Sequence, residues 1–140
     1  MHYEASLIVR VPRDKAYSNY TDFEAAPRWS GQKQGVSVVR REGNVVYLER
    51  ASAGTGRRVI KEIKLFPPER VESEGETRFT RTRSIVMFEE AMEGTKVTAS
   101  LEVQFKGRWG WILKTRGKAE SESSAMEELA SFAKYAEGLP

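Results

Sequence analysis

The sequence predicts a single α+β domain over residues 1–140, in which a curved antiparallel sheet of about seven strands wraps one long C-terminal helix around an internal cavity, with two short helices after the first strand. Three observations carry this reading. An apolar, β-branched run at the start is closed by Val11-Pro12. From Gly35 to Phe105, strand-like segments follow one another across Gly and Pro turns, with no helical period between them. After Gly107, a proline-free stretch of good helix formers runs to Gly138.

In order, Tyr3 to Val11 reads as a strand, and Pro12 suits the first turn of a helix over Arg13 to Tyr20, where Ala16, Tyr17 and Tyr20 recur at helical spacing. A second short helix is expected over Phe23 to Trp29, punctuated by Pro27. The meander follows: Val36 to Arg41, a turn at Glu42-Gly43-Asn44, Val45 to Ala51, the glycines Gly54 and Gly56, Arg58 to Phe66, a Pro67-Pro68 turn, and Arg70 to Glu74. Arg78 to Glu89 should then pair with Thr95 to Phe105 across Met92-Glu93-Gly94-Thr95, Gly94 supplying the positive φ of a tight turn. The last strand alternates Val97, Ala99, Leu101, Val103 and Phe105 with Thr98, Ser100, Glu102 and Gln104, so one face is buried and one is wet. With Glu93 and Gly94 as the turn residues, Phe88 faces Ala99, Val86 faces Leu101, Ser84 faces Val103 and Thr82 faces Phe105, leaving Arg81 and Arg83 to solvent. On the long helix, Met126, Leu129, Ala130, Ala133 and Ala136 share one face, which continues backward as Ser123, Ala119, Arg116 and Ile112.

Composition removes most catalytic kits. The chain has no cysteine, which excludes disulfides, thiolate nucleophiles and Cys-ligated metals. Its one histidine is His2, beside the initiator Met, a poor place for a general base or a multi-His metal site, and its only aspartates are Asp14 and Asp22. No metal and no cofactor is expected. The net charge of +3 comes from scattered Lys and Arg rather than a basic block, so no nucleic-acid partner is expected. No apolar run reaches membrane-spanning length and the N-terminus lacks signal-peptide character, which predicts a soluble cytoplasmic protein. Gly54-Thr55-Gly56-Arg57-Arg58 lacks the spacing and lysine of a phosphate loop and reads as a hairpin.

Several local patterns resemble one superfamily. Val11-Pro12-Arg13-Asp14-Lys15-Ala16 with Asp22 and Pro27-Arg28-Trp29, the Pro67-Pro68-Glu69-Arg70-Val71 turn, the Glu93-Gly94-Thr95-Lys96-Val97-Thr98 hairpin and the closing helix from Glu127-Glu128-Leu129 to Lys134-Tyr135-Ala136-Glu137 are similar to the START-like or SRPBCC superfamily, which includes polyketide cyclase/dehydrase and coenzyme Q-binding proteins. The resemblance spans essentially the whole chain. It implies a helix-grip fold with a cavity between the long helix, the concave sheet and the short helices, and it does not imply a reaction. The family's ring-hydroxylating oxygenase subunits need metal ligands that this chain lacks.

The residues add a physical case for the cavity. Bulky Phe88, Leu101 and Phe105 face a helical half that offers only Ala119 and Ser123, and a well-packed interior has either to collapse there or to host a guest. The competing reading is that Trp109, Trp111 and the short helices fill the gap. The expected lining is Trp29, Thr82, Ser84, Val86, Phe88 and Leu101. Val103, Trp109, Arg116, Ala119, Ser123 and Met126 complete it. Thr82 and Ser84 would hydrogen-bond an amphipathic guest, and Arg116 would fork onto a carboxylate or phosphate unless it pairs with Glu120 in solvent.

The leading expectation is a non-enzymatic binder or carrier of a small lipophilic or amphipathic molecule such as a lipid, a quinone or a polyketide-like compound. One alternative is a cyclase or dehydratase in which Glu122 or Tyr17 moves protons. Another is a module that docks peripherally on a membrane or a protein through the Trp109–Trp111 corner, beside Lys106, Arg108 and Lys114. Neither ligand identity nor oligomeric state is legible.

Overall fold

Short turns force consecutive strands to lie side by side, and that rule sets most of the architecture. The computed structural model describes residues 2–29, 36–51, 58–76, 80–105 and 118–138, with positions 118–124 described by backbone alone. The elements are β1 (His2–Val9), α1 (Arg13–Tyr20), a 3₁₀ turn (Ala26–Arg28), β2 (Val36–Glu42), β3 (Val45–Ala51), β4 (Arg58–Phe66), β5 (Arg70–Glu76), β6 (Thr80–Ala91), β7 (Gly94–Phe105) and α2 (Lys118–Gly138). The seven strands form one antiparallel sheet in the order β1-β7-β6-β5-β4-β3-β2, the arrangement of a helix-grip fold. Only β1 lies out of sequence order, beside β7.

Turn chemistry matches the reading of the sequence where glycine is needed. Gly43 has φ +58° and starts the two-residue turn that joins Glu42 to its partner Val45. Val39 interrupts the β2 ladder as a bulge, on an edge strand, where bulges discourage pairing with another sheet. Gly94 has φ +146°, and a Cβ there would collide with the Val9 carbonyl oxygen, so both conformation and space require glycine. Next to it, the buried Thr95 hydroxyl donates to the Val11 carbonyl at 2.8 Å, which pins the β6–β7 hairpin to the end of β1.

Four expectations need correction. The first strand ends at Val9, because the chain folds back there and the Val11 N–H donates to the Val9 carbonyl at 2.9 Å. The second short helix shrinks to the 3₁₀ turn, whose first positions hold Pro27, a residue unable to donate to a continuing ladder. The β6–β7 turn is Met92-Glu93, so the register moves by two residues: Phe88 faces Val97, Val86 faces Ala99, Ser84 faces Leu101 and Thr82 faces Val103. A two-residue shift keeps every side chain on its expected face. Finally, α2 buries Leu129, Phe132, Ala133 and Ala136, while Met126 is 45% exposed and Ala130 is exposed, a face turned toward Phe132.

Phe132, with no exposed surface, shows why the face turned. Tyr20 stands among three other rings, 5.3 Å from Phe132, 5.5 Å from Phe88 and 5.6 Å from Trp29. Phe132 also meets Trp29 edge-on at 5.0 Å, and Phe88 meets Tyr17 at 5.3 Å. Edge-to-face contacts of this kind add to the area they bury. The cluster ties α1, β6, the 3₁₀ turn and α2 together, and the helix lies chiefly against β1.

Two outcomes are expected in chemical denaturation. Phe132→Ala should lower unfolding free energy by about 3–4 kcal/mol, since the rings around it cannot all close the hole. Gly94→Ala should lower it by about 3 kcal/mol through forced backbone strain, and a change under 1 kcal/mol would contradict the close approach of Gly94 to the Val9 carbonyl.

Candidate functional site

Alternation on a sheet decides what its concave face offers a guest. One inward row runs Val46, Ile63, Ser73, Ser84, Leu101 and Tyr3 across six strands. One step along, Leu48 pairs with Lys61, and Gly75, Thr82 and Val103 lie side by side. Two hydroxyls, Ser73 and Ser84, therefore sit face to face in the middle of the sheet, with Lys61 and Thr82 in the neighbouring row. The Thr82 hydroxyl reaches the Gly75 carbonyl at 3.3 Å, and a Cβ on Gly75 would press on it. The glycine leaves a dip in this floor.

Above the floor lies a cavity of about 330 Å³. Its sheet side comprises the polar floor together with Ile63, Val71, Val86 and Leu101. Tyr20, Phe23 and Trp29 close one side, and Ala125, Glu128 and Leu129 of α2 close another. A pocket of this size with apolar walls and few polar groups is the usual form of a small-molecule site.

The charged groups are placed unusually. Lys61 points inward from β4, sharing its face with Ile63, and Glu128 lies beside Leu129 on α2, both lining the cavity. Burial raises the Glu128 carboxyl above its ordinary range, while the Lys61 charge pulls it back down. Glu128 nevertheless keeps solvent-exposed surface. Burial also pushes the Tyr20 phenol far up, and the Glu128 charge adds to the effect, so Tyr20 stays neutral. Tyr17 is raised by burial as well, and its hydroxyl donates to the Arg70 carbonyl at 3.4 Å.

Among the residues expected at a site, Trp29, Thr82, Ser84, Val86 and Leu101 line the cavity. Trp29 is 9% exposed, and its Nε1–H has no hydrogen-bond partner among the described residues. Phe88 does not line the cavity; it is core, packed on Tyr17 and Tyr20. Val103 is buried beside the lining rather than in it, and Met126 faces outward because the helix face is turned. Trp109 and Arg116 lie outside the described residues, as do the Trp111 corner and the side chains of Ala119, Ser123 and Glu122. Tyr17, the other candidate for proton transfer, belongs to the aromatic cluster and not to the lining.

Tyr3, Tyr20, Lys61, Ser73 and Glu128 were missed as lining residues. A signal existed for Lys61, which shares parity with Ile63 and Leu65 on β4, and for Glu128, three residues after Ala125. Among the described residues, no group of three or more His, Cys, Asp or Glu side chains gathers as a metal site, and no helix is long and apolar enough to cross a membrane.

Comparison with solved structures gives matches over nearly the entire chain. A protein from Thermus thermophilus aligns with a TM-score of 0.78 at 19% identity, covering 97% of each chain. The Zhui aromatase/cyclase from a Streptomyces strain, R1128, aligns at 0.74 and 14% identity, over 98% of this chain and 93% of that one. A START superfamily protein from Mycobacterium smegmatis aligns at 0.65 and 18% identity, over 98% and 94%. At these identities the likeness is one of fold. No curated protein matches by sequence. Residues 9–125 match the family described as polyketide cyclase / dehydrase and lipid transport. With the helix-grip sheet and the cavity in place, the chain belongs to that family.

Proposed function

We propose that this protein is a cytoplasmic binder or carrier of a small lipophilic or amphipathic molecule, a lipid, a quinone or a polyketide-like compound, held in the cavity without being transformed. The observation that carries the reading is the cavity of about 330 Å³, with aromatic and aliphatic walls over a floor of hydroxyls. Burying ~200 Å² of apolar ligand surface supplies about 5 kcal/mol before the costs of association, no better than roughly sub-millimolar affinity by itself, so a polar group on the floor has to add to it for tighter binding. Trp29, Val86, Leu101 and Leu129 would supply that area, and Thr82 and Ser84 would orient a polar group.

A second reading, catalysis by a cyclase or dehydratase, is favoured by one observation: Glu128, with its raised pKa, faces the cavity beside Tyr20. Such groups are suited to acid/base work. Turnover of a linear polyketone that vanished in Glu128→Gln, with binding kept, would move the assignment to an enzyme.

The carrier reading is tested with N-phenyl-1-naphthylamine, a neutral probe that fluoresces in apolar sites. It should bind with one-to-one stoichiometry, and Ser84→Phe, which plugs the middle of the floor, should weaken it by about tenfold with the fold retained by circular dichroism. Probe binding that is unsaturable, or unaffected by the plug, would remove the cavity from the account.

A further inference from the structure

A lysine on the inward face of a sheet is costly to keep there unless something negative meets it. Among the described residues lining this cavity the cation is Lys61, one strand away from Ser73 and two from Ser84, and a carboxylate that feels its charge is Glu128, across the cavity on α2. The two come from opposite walls. A carboxylate that reaches in from a partly exposed helix position can be replaced by another anion at much lower cost than a carboxylate held in the sheet.

From this arrangement we infer that the cavity takes an amphipathic molecule with an anionic head, seated on Lys61 and the Ser73 and Ser84 hydroxyls, its apolar tail among Phe23, Trp29 and Leu129, and that Glu128 competes with the head for Lys61. This rests on the reading of the cavity as a ligand site and narrows it to a charge class. The competition has a sign. Neutral Glu128 no longer competes for the Lys61 charge, whereas ionised Glu128 repels the incoming anion. Since burial raises the Glu128 carboxyl, affinity for an anion should be highest below its raised pKa and fall as pH climbs through it. Among the described residues, the other ionisable groups lining the cavity besides Lys61 and Glu128 are Tyr3 and Tyr20, and burial pushes the Tyr20 phenol far up.

The test uses a pair of probes matched in tail, 1-decanesulfonate and 1-decanol, titrated calorimetrically into the purified protein at about pH 5 and about pH 8, where a sulfonate keeps its charge. The sulfonate should bind about tenfold more tightly at the lower pH, with decanol indifferent to pH. Glu128→Gln should hold the sulfonate tightly at both values. Lys61→Met should cut sulfonate affinity to that of decanol, and Lys61→Arg, which keeps the charge and guards against a folding defect, should restore it. Equal binding of both probes to wild type, sulfonate binding indifferent to Lys61→Met, or a pH dependence that survives Glu128→Gln would overturn the anionic assignment while leaving the carrier reading intact. Binding of neither probe would overturn both.

Discussion

One helix cannot cover a seven-stranded sheet. Six inter-strand gaps of ~4.8 Å make a concave face about 29 Å wide, against about 10 Å for a helix with its side chains. The chain settles α2 chiefly against β1, at one side, and fixes it there with Phe132. The inward face of the middle strands is then left to the short helical segments after β1, whose aromatic residues reach over only part of it. The cavity is what remains. It follows from the geometry of one long helix on a wide sheet, with Tyr20 and Trp29 as the wall between packed core and open space.

That division also explains where polar side chains appear. The strand positions nearest the aromatic cluster are apolar, with Val71, Val86 and Phe88 buried. Further along the same strands the inward residues become Ser73, Ser84, Thr82 and Lys61. Thr82 donates to the Gly75 carbonyl and Lys61 lies within reach of the Glu128 charge. Over a cavity these residues can meet water or a guest, and so they are tolerated where the helix does not press down. The raised pKa of Glu128 belongs to the same half-open setting, with enough burial to favour the neutral acid and enough charge from Lys61 to oppose it. The outward face has no such tension, and Arg83 there simply lies 3.5 Å from Glu72 in solvent.

Much of the fold was legible because period and punctuation agreed. β3 and β4 run over the expected residues, Gly94 takes the expected positive φ although it opens β7 rather than standing in the turn, and the faces of β7 follow its alternation. The hairpin register was not legible to the residue, since a two-residue slip preserves both faces. The helix face was legible at Leu129, Ala133 and Ala136, which are buried, but not at Met126 and Ala130, because the face turns toward Phe132, which packs between the Tyr20 and Trp29 rings. The site was legible in part. Thr82, Ser84, Val86 and Leu101 follow from parity alone, but Phe88 and Trp29 differ in role only through the aromatic cluster, which no local pattern reveals. Lys61 and Glu128 carry charges of a kind that usually faces solvent, so their spacing alone does not single them out.

The central claim is that a half-open, guest-accessible space lies between α2 and the middle strands. Intermolecular NOEs from saturating N-phenyl-1-naphthylamine to methyl-labelled protein test it most directly. The account predicts contacts to Leu48, Val71, Val86 and Leu129 and none to the core methyls of Val9 and Val97 or to Ile60 on the outer face. Contacts confined to Ile60 and other exposed methyls, with the cavity methyls silent, would contradict it.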